Sequence, residues 1–65
     1  MTMNKAQQKA LWNILLRKNP GAELPMFRGA YMRLRRQAVY NFTDCWMVPY
    51  CGMWLGIEKD GYTHS

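Results

Sequence analysis

The four arginines Arg28, Arg33, Arg35 and Arg36 fall within nine residues, and no other group of side chains in the sequence is so plainly equipped for a chemical task. That task is binding rather than bond-making. A guanidinium is planar, always charged and carries five N–H donors, so it grips phosphate or carboxylate oxygens in pairs and stacks on aromatic rings. Arg17 and Lys18 form a second cluster, and Lys5 and Lys9 extend the field. The charge is divided unevenly. Residues 1–36 hold eight Lys and Arg against the single acid Glu23, a net +7, whereas residues 37–65 hold Lys59 against Asp44, Glu58 and Asp60, a net −2. A field of that sign draws in a polyanion or an acidic protein surface. About three or four neutralised phosphates are enough to make such binding salt-sensitive. Few polar side chains accompany the arginines, so little is available to read base edges and sequence specificity is expected to be low. Helix-turn-helix spacing, zinc-finger ligands and an RNA-recognition motif are all missing from the sequence.

A second candidate surface is the aromatic block that contains Trp46, Tyr50 and Trp54. These rings either form the core or offer a stacking platform for single-stranded nucleic acid. A chain this small cannot bury all three completely, and an exposed ring marks a partner or homodimer contact.

Other reactive residue types are sparse. A structural zinc site takes four ligands, and counting Cys45, Cys51 and His64 gives three, so no metal and no cofactor is expected. Two cysteines are too few for a secreted disulfide framework. Both are expected to be free, buried and inert, with a short-loop disulfide as the alternative. A nucleophilic thiol needs a paired base, and none is near in sequence. The acids Glu23, Asp44, Glu58 and Asp60 form no paired-carboxylate motif, and there is no Gly-rich phosphate loop. The sequence therefore reads as a non-enzymatic binding protein.

The elements that must position these residues are legible from period and punctuation. The chain has 65 residues, room for one domain over 1–65. Asn4 is placed to cap a helix, and Gln7 to answer it in a capping box. Good helix formers follow, with Ala10, Leu11, Ile14 and Leu15 on one face. Arg17 and Lys18 suit the last turn, and Asn19-Pro20-Gly21 ends it, so the first helix is expected over 4–18. Pro25 suits a helix start. Phe27, Tyr31, Leu34 and Ala38 then make an apolar stripe, with Arg28, Met32, Arg35 and Arg36 on the other side and Arg33 further round, which predicts a second helix over 25–37 weakened by Gly29. Ala38 to Phe42 reads either as a helix tail or as a short strand. Residues 45–58 read as a β-hairpin around Tyr50-Cys51-Gly52, and Asp60-Gly61 as a further turn. The expected fold class is α+β: two amphipathic helices that cover one face of a hairpin, with Trp46 and Trp54 beneath them. A lone hairpin is not stable in water and needs that cover.

The run from Val48 to Tyr62, Val-Pro-Tyr-Cys-Gly-Met-Trp-Leu-Gly-Ile-Glu-Lys-Asp-Gly-Tyr, resembles the ends of small accessory proteins of tailed bacteriophages. The resemblance covers the last third of the chain and carries over no functional residue. It implies a setting, the cytoplasm of an infected bacterium, where such proteins bind nucleic acid or host proteins. The partner expected from the charge is nucleic acid. The alternative is an acidic surface on a host polymerase, nuclease or defence complex, which the chain would engage as an inhibitor or adaptor. The longest apolar runs are only a few residues, far short of the ~20 that span a bilayer, and the first residues lack the apolar stretch of a signal peptide. A cytoplasmic protein with no membrane partner is therefore expected.

Overall fold

The protein is described by a computed structural model covering residues 2–41 and 43–65. Helix α1 spans Lys5–Lys18 and starts at the expected cap. The Asn4 side chain accepts from the Gln7 backbone N–H at 2.8 Å, and the Gln7 side chain accepts from the Asn4 N–H at 3.0 Å. Two of the four orphan donors of a helix start are satisfied this way. At the far end the Asn19 backbone N–H and its side-chain Nδ2 both donate to the Leu15 carbonyl, at 3.0 and 2.9 Å. Helix α2 spans Leu24–Gln37. It begins one residue before Pro25, and it runs through Gly29 without a break.

Four strands follow: β1 Val39–Tyr40, β2 Trp46–Tyr50, β3 Met53–Ile57 and β4 Thr63–His64. They form one antiparallel sheet in chain order. The anticipated hairpin is its centre. The ambiguous stretch after α2 resolves as a strand at Val39–Tyr40 and not a helix tail; Phe42, the end of that stretch, lies outside the described residues. The final turn is followed by the paired strand β4. Two loops close with a residue in the left-handed region, Asp44 at φ 57° and Gly61 at φ 93°. That is the conformation in which three-residue hairpin loops end. Gly61 is needed for a second reason: a Cβ there would sit 3.0 Å from the Ala6 carbonyl oxygen of α1.

Side chains alternate across a strand. Trp46, Val48 and Ile57 point to the helices, where they meet Met3, Leu11, Leu15, Phe27 and Tyr31 in one core. Leu11, Val48 and Ile57 are fully buried, each worth about 1.5–3 kcal/mol of hydrophobic stabilisation. Trp12 stands edge-on to Phe27 and to Tyr31, with ring centroids 4.4 and 5.1 Å away, and so locks the two helices together.

Two expectations are corrected here. Trp54 is not beneath the helices. It pairs with Pro49 in the β2–β3 register, on the opposite sheet face, and is 53% exposed. The expectation that both cysteines are buried holds for Cys45 alone; Cys51 is exposed at the hairpin tip, and both are free thiols.

Gln7 is the buried polar residue of the core, at 2% exposure. Its Nε2 donates to the Asp44 carbonyl at 2.7 Å and to the Ile57 carbonyl at 3.3 Å, while its Oε1 serves the cap. Asn4 Nδ2 adds a bond to the Lys59 carbonyl at 2.9 Å. Gln7→Leu keeps the volume but strands these partners, so we expect a loss of about 2–4 kcal/mol, from one or more buried groups left unpaired at about 1–3 kcal/mol each. Urea denaturation would check it, and a loss under about 0.5 kcal/mol would contradict it.

The β2–β3 turn has positive φ at both central residues, Cys51 at 53° and Gly52 at 76°, the type I′ geometry that favours Asn-Gly. Cys51 carries a Cβ into the left-handed region, where non-glycine residues other than Asn and Asp are strained. Cys51→Asn should therefore raise stability, by up to about 1 kcal/mol, seen as a higher melting temperature. An unchanged or lower one would show that the strain is relieved some other way.

The two tryptophans should respond differently to truncation. Trp46→Ala empties part of the core and should cost about 3–5 kcal/mol, whereas Trp54→Ala should cost less than about 1 kcal/mol. Circular dichroism melts of the pair would reveal a wrong assignment of faces if the order were reversed.

Candidate nucleic-acid interface

The arginine surface is built by α2. Its apolar stripe is turned inward by Phe27 and Tyr31, both buried, and this leaves Arg28, Arg33 and Arg36 exposed. Arg35 is half-buried. Its guanidinium lies 5.5 Å from the centre of the Tyr31 ring, and its Nη1 is 3.8 Å from the Met32 sulfur. One of the four is thus committed to an aromatic face inside the protein, a cation–π contact. Arg35 and Arg36 are also in the last turn of α2, where positive charge offsets the helix dipole.

None of these arginines has an ion-pair partner among the described residues. Three of the four acids are occupied elsewhere. Asp44 accepts from the Tyr40 hydroxyl at 2.6 Å and is 4.0 Å from Lys59 Nζ. The hydrogen bond from Tyr40 to the Asp44 carboxylate holds the phenol above its ordinary pKa. Glu58 Oε2 is 2.6 Å from His64 Nε2, and Asp60 accepts from the Tyr62 N–H at 2.9 Å.

The antiparallel helices keep the two basic clusters apart. Arg35 and Arg36 line an open groove of about 340 Å³ with Met3, Met32, Ala38 and Trp46, beside the start of α1. Arg17 and Lys18 are at the other end of α1, where they line a groove of about 370 Å³ with Ile14, Leu55 and Thr63. Arg17 and Lys18 thus stand as a second cluster beside a different groove from that of Arg35 and Arg36.

The aromatic candidates separate as well. Trp46 is 9% exposed and packs edge-on against Tyr40 at 5.3 Å, so most of its ring is core and only an edge reaches the groove beside Arg35 and Arg36. Tyr50 is half-buried against the core, its hydroxyl 3.5 Å from Asn19 Nδ2. Trp54 alone is well exposed, and it is on the sheet face that the helices leave open.

That open face holds a group that residue counting missed. Cys45, Glu58 and His64 each offer a ligand atom, and these atoms all lie within 4.8 Å of one another. Counting only Cys and His left out the carboxylate. The signal was in the hairpin register: a two-residue turn at Cys51-Gly52 sets Cys45 opposite Glu58, one step beyond the Trp46–Ile57 pair. Burial, and then the neighbouring Glu58 carboxylate, push the Cys45 thiol above its ordinary pKa. No described helix is long and apolar enough to cross a membrane. Set against family models, curated proteins and solved structures, the chain matches none of them.

Proposed function

We propose that this protein is a small non-enzymatic accessory protein that binds nucleic acid through the outer face of α2, in the bacteriophage setting its C-terminal third resembles. The observation that carries the reading is that Arg28, Arg33 and Arg36 are exposed and have no acidic partner among the described residues. A cation already paired within the protein gains little from a phosphate, whereas an unpaired one releases the phosphate's counterions on contact. Phosphate contacts of this kind position a protein on the strand and carry no sequence information, so the binding is broad in sequence.

The geometry favours a polyanion over an acidic protein surface. The protein reading joins the basic helix to an exposed aromatic hot spot. Trp54, the exposed tryptophan, is on the sheet face away from α2, so one flat partner surface cannot engage both. A flexible strand needs only the helix.

Fluorescence anisotropy with labelled single-stranded DNA, duplex DNA and RNA across a salt series tests this. The affinity should fall with salt, with a slope of about three contacts' worth, about 0.7–0.9 log units per contact. Arg28→Ala, Arg33→Ala and Arg36→Ala together should remove most of that slope while stability changes by no more than about 0.5 kcal/mol per site. Arg35 is left intact in this variant because it packs on Tyr31. Salt-insensitive affinity, or a triple variant that binds like the parent, would sink the proposal. Capture of one stoichiometric protein from nuclease-treated bacterial lysate, with no nucleic-acid binding, would favour the inhibitor or adaptor reading instead.

A further inference from the structure

We infer that Cys45, Glu58 and His64 form a Zn2+ site on the sheet face opposite the helices. The three residues come from neighbouring strand positions: Cys45 just before β2, Glu58 just after β3 and His64 in β4. Thiolate, carboxylate and imidazole are all zinc ligands, and three protein ligands with a fourth open position is an established zinc arrangement. Bonds of about 2.0–2.3 Å to a tetrahedral ion set ligand atoms about 3.3–3.8 Å apart. The ligand atoms here already lie within 4.8 Å of one another, so the shift required is a side-chain adjustment. The His64–Glu58 contact of 2.6 Å opens to admit the ion between them. On binding, the Cys45 thiol gives its proton to solvent and the thiolate takes the metal.

A second, independent observation points the same way. The residue that pairs with His64 across the sheet is Gly56. A Cβ at Gly56 would be 2.5 Å from His64 Cε1 and 2.7 Å from Nε2. The imidazole occupies the space over this bare backbone, and the Tyr62 ring stacks with it at 6.2 Å. The ring's Nε2 is thereby directed at Glu58, 2.6 Å away, while the residue stays partly exposed. Cys45 is itself 3% exposed, so its sulfur is approached past Glu58 and His64, both of which reach the surface. Met47 sulfur is 4.0 Å from Cys45 Sγ, but a thioether suits Cu(I) better than Zn2+, and the carboxylate and imidazole favour zinc.

Co2+ is the probe of choice, added to the full chain after chelator treatment under a phosphine reductant. One Co2+ per chain should bind, with a thiolate-to-cobalt charge-transfer band and the visible bands of a tetrahedral ion, and Zn2+ should displace it. Cys45→Ser should abolish the charge-transfer band. His64→Asn and Glu58→Gln should each weaken binding at least as much as loss of an outer-shell partner does, about 10–100-fold. Gly56→Ala should weaken it too, although it removes no ligand. Cys51→Ser should leave the spectrum unchanged. His64 is exposed, so its variant keeps the test decisive even if Cys45→Ser fails to fold by circular dichroism. A parent protein without the charge-transfer band, a band that needs Cys51, or full affinity in His64→Asn would overturn the assignment.

Discussion

A single buried amide, that of Gln7, joins the start of α1 to two separate parts of the sheet, and the relation between the two layers depends on it. One end of the side chain closes the capping box with Asn4; the other donates to the carbonyls of Asp44 and Ile57. Those carbonyls belong to the loop between β1 and β2 and to the end of β3. In a low-dielectric interior each would be costly to leave unpaired. The amide therefore does more than end-cap a helix. It sets how far α1 can slide along the sheet, and the hydrophobic contacts of Leu11 and Leu15 with Val48 and Ile57 follow from that placement. Apolar contacts alone tolerate such sliding, because the hydrophobic effect is not directional.

From that constraint comes the division of the molecule into two chemically distinct surfaces. The helices cover one face of a four-stranded meander and leave the other without a layer. On the helix side every charged residue of the two helices is basic, set among the exposed Leu16, Leu24, Met26 and Met32; the open sheet side carries Met47, Trp54, Glu58 and His64 over the buried Cys45. The core between them is one layer of side chains thick. Arg35 shows how closely surface and core are interlocked, since a residue of the basic stretch stacks on the core ring of Tyr31.

Much of this was legible in the sequence, and the limits were physical. The Asn4–Gln7 box and the Asn19 stop are short-range signals in which the partners are three or four residues apart, and they located α1. The 3.6-residue stripe of Phe27, Tyr31 and Leu34 located α2 and, by exclusion, its arginine face. Strands β1 and β4 have two residues each, too few to show an alternation. They exist because loops ending in Asp44 and Gly61 fold the chain back onto β2 and β3. The face of Trp54 is fixed by the hairpin register. A two-residue turn at positions 51 and 52 pairs Tyr50 with Met53 and Trp46 with Ile57. Even-numbered residues of β2 therefore share a face with odd-numbered residues of β3, and Trp46 and Trp54 must point opposite ways. The same parity places Cys45 beside Glu58. What no local pattern contains is that Gln7 reaches Asp44, 37 residues away.

The two surfaces are not equally coupled to the rest of the fold. Strand β4 is held to β3 by its register, and the Gly61 turn before it abuts the Ala6 carbonyl in the first turn of α1. Asn4, the cap of that helix, donates to the Lys59 carbonyl in the same turn. An ion bound by Cys45, Glu58 and His64 would therefore tighten β2, β3 and β4, and through the turn the start of α1. The α2 arginines meet the core instead through Phe27 and Tyr31, against Trp12 from the middle of α1. Between these routes lies Gln7, whose amide bonds to both the β1–β2 loop and the end of β3. Ordering the sheet side thus steadies the platform on which α2 rests without changing which arginines face outward, because that choice is made by the helix's own apolar stripe.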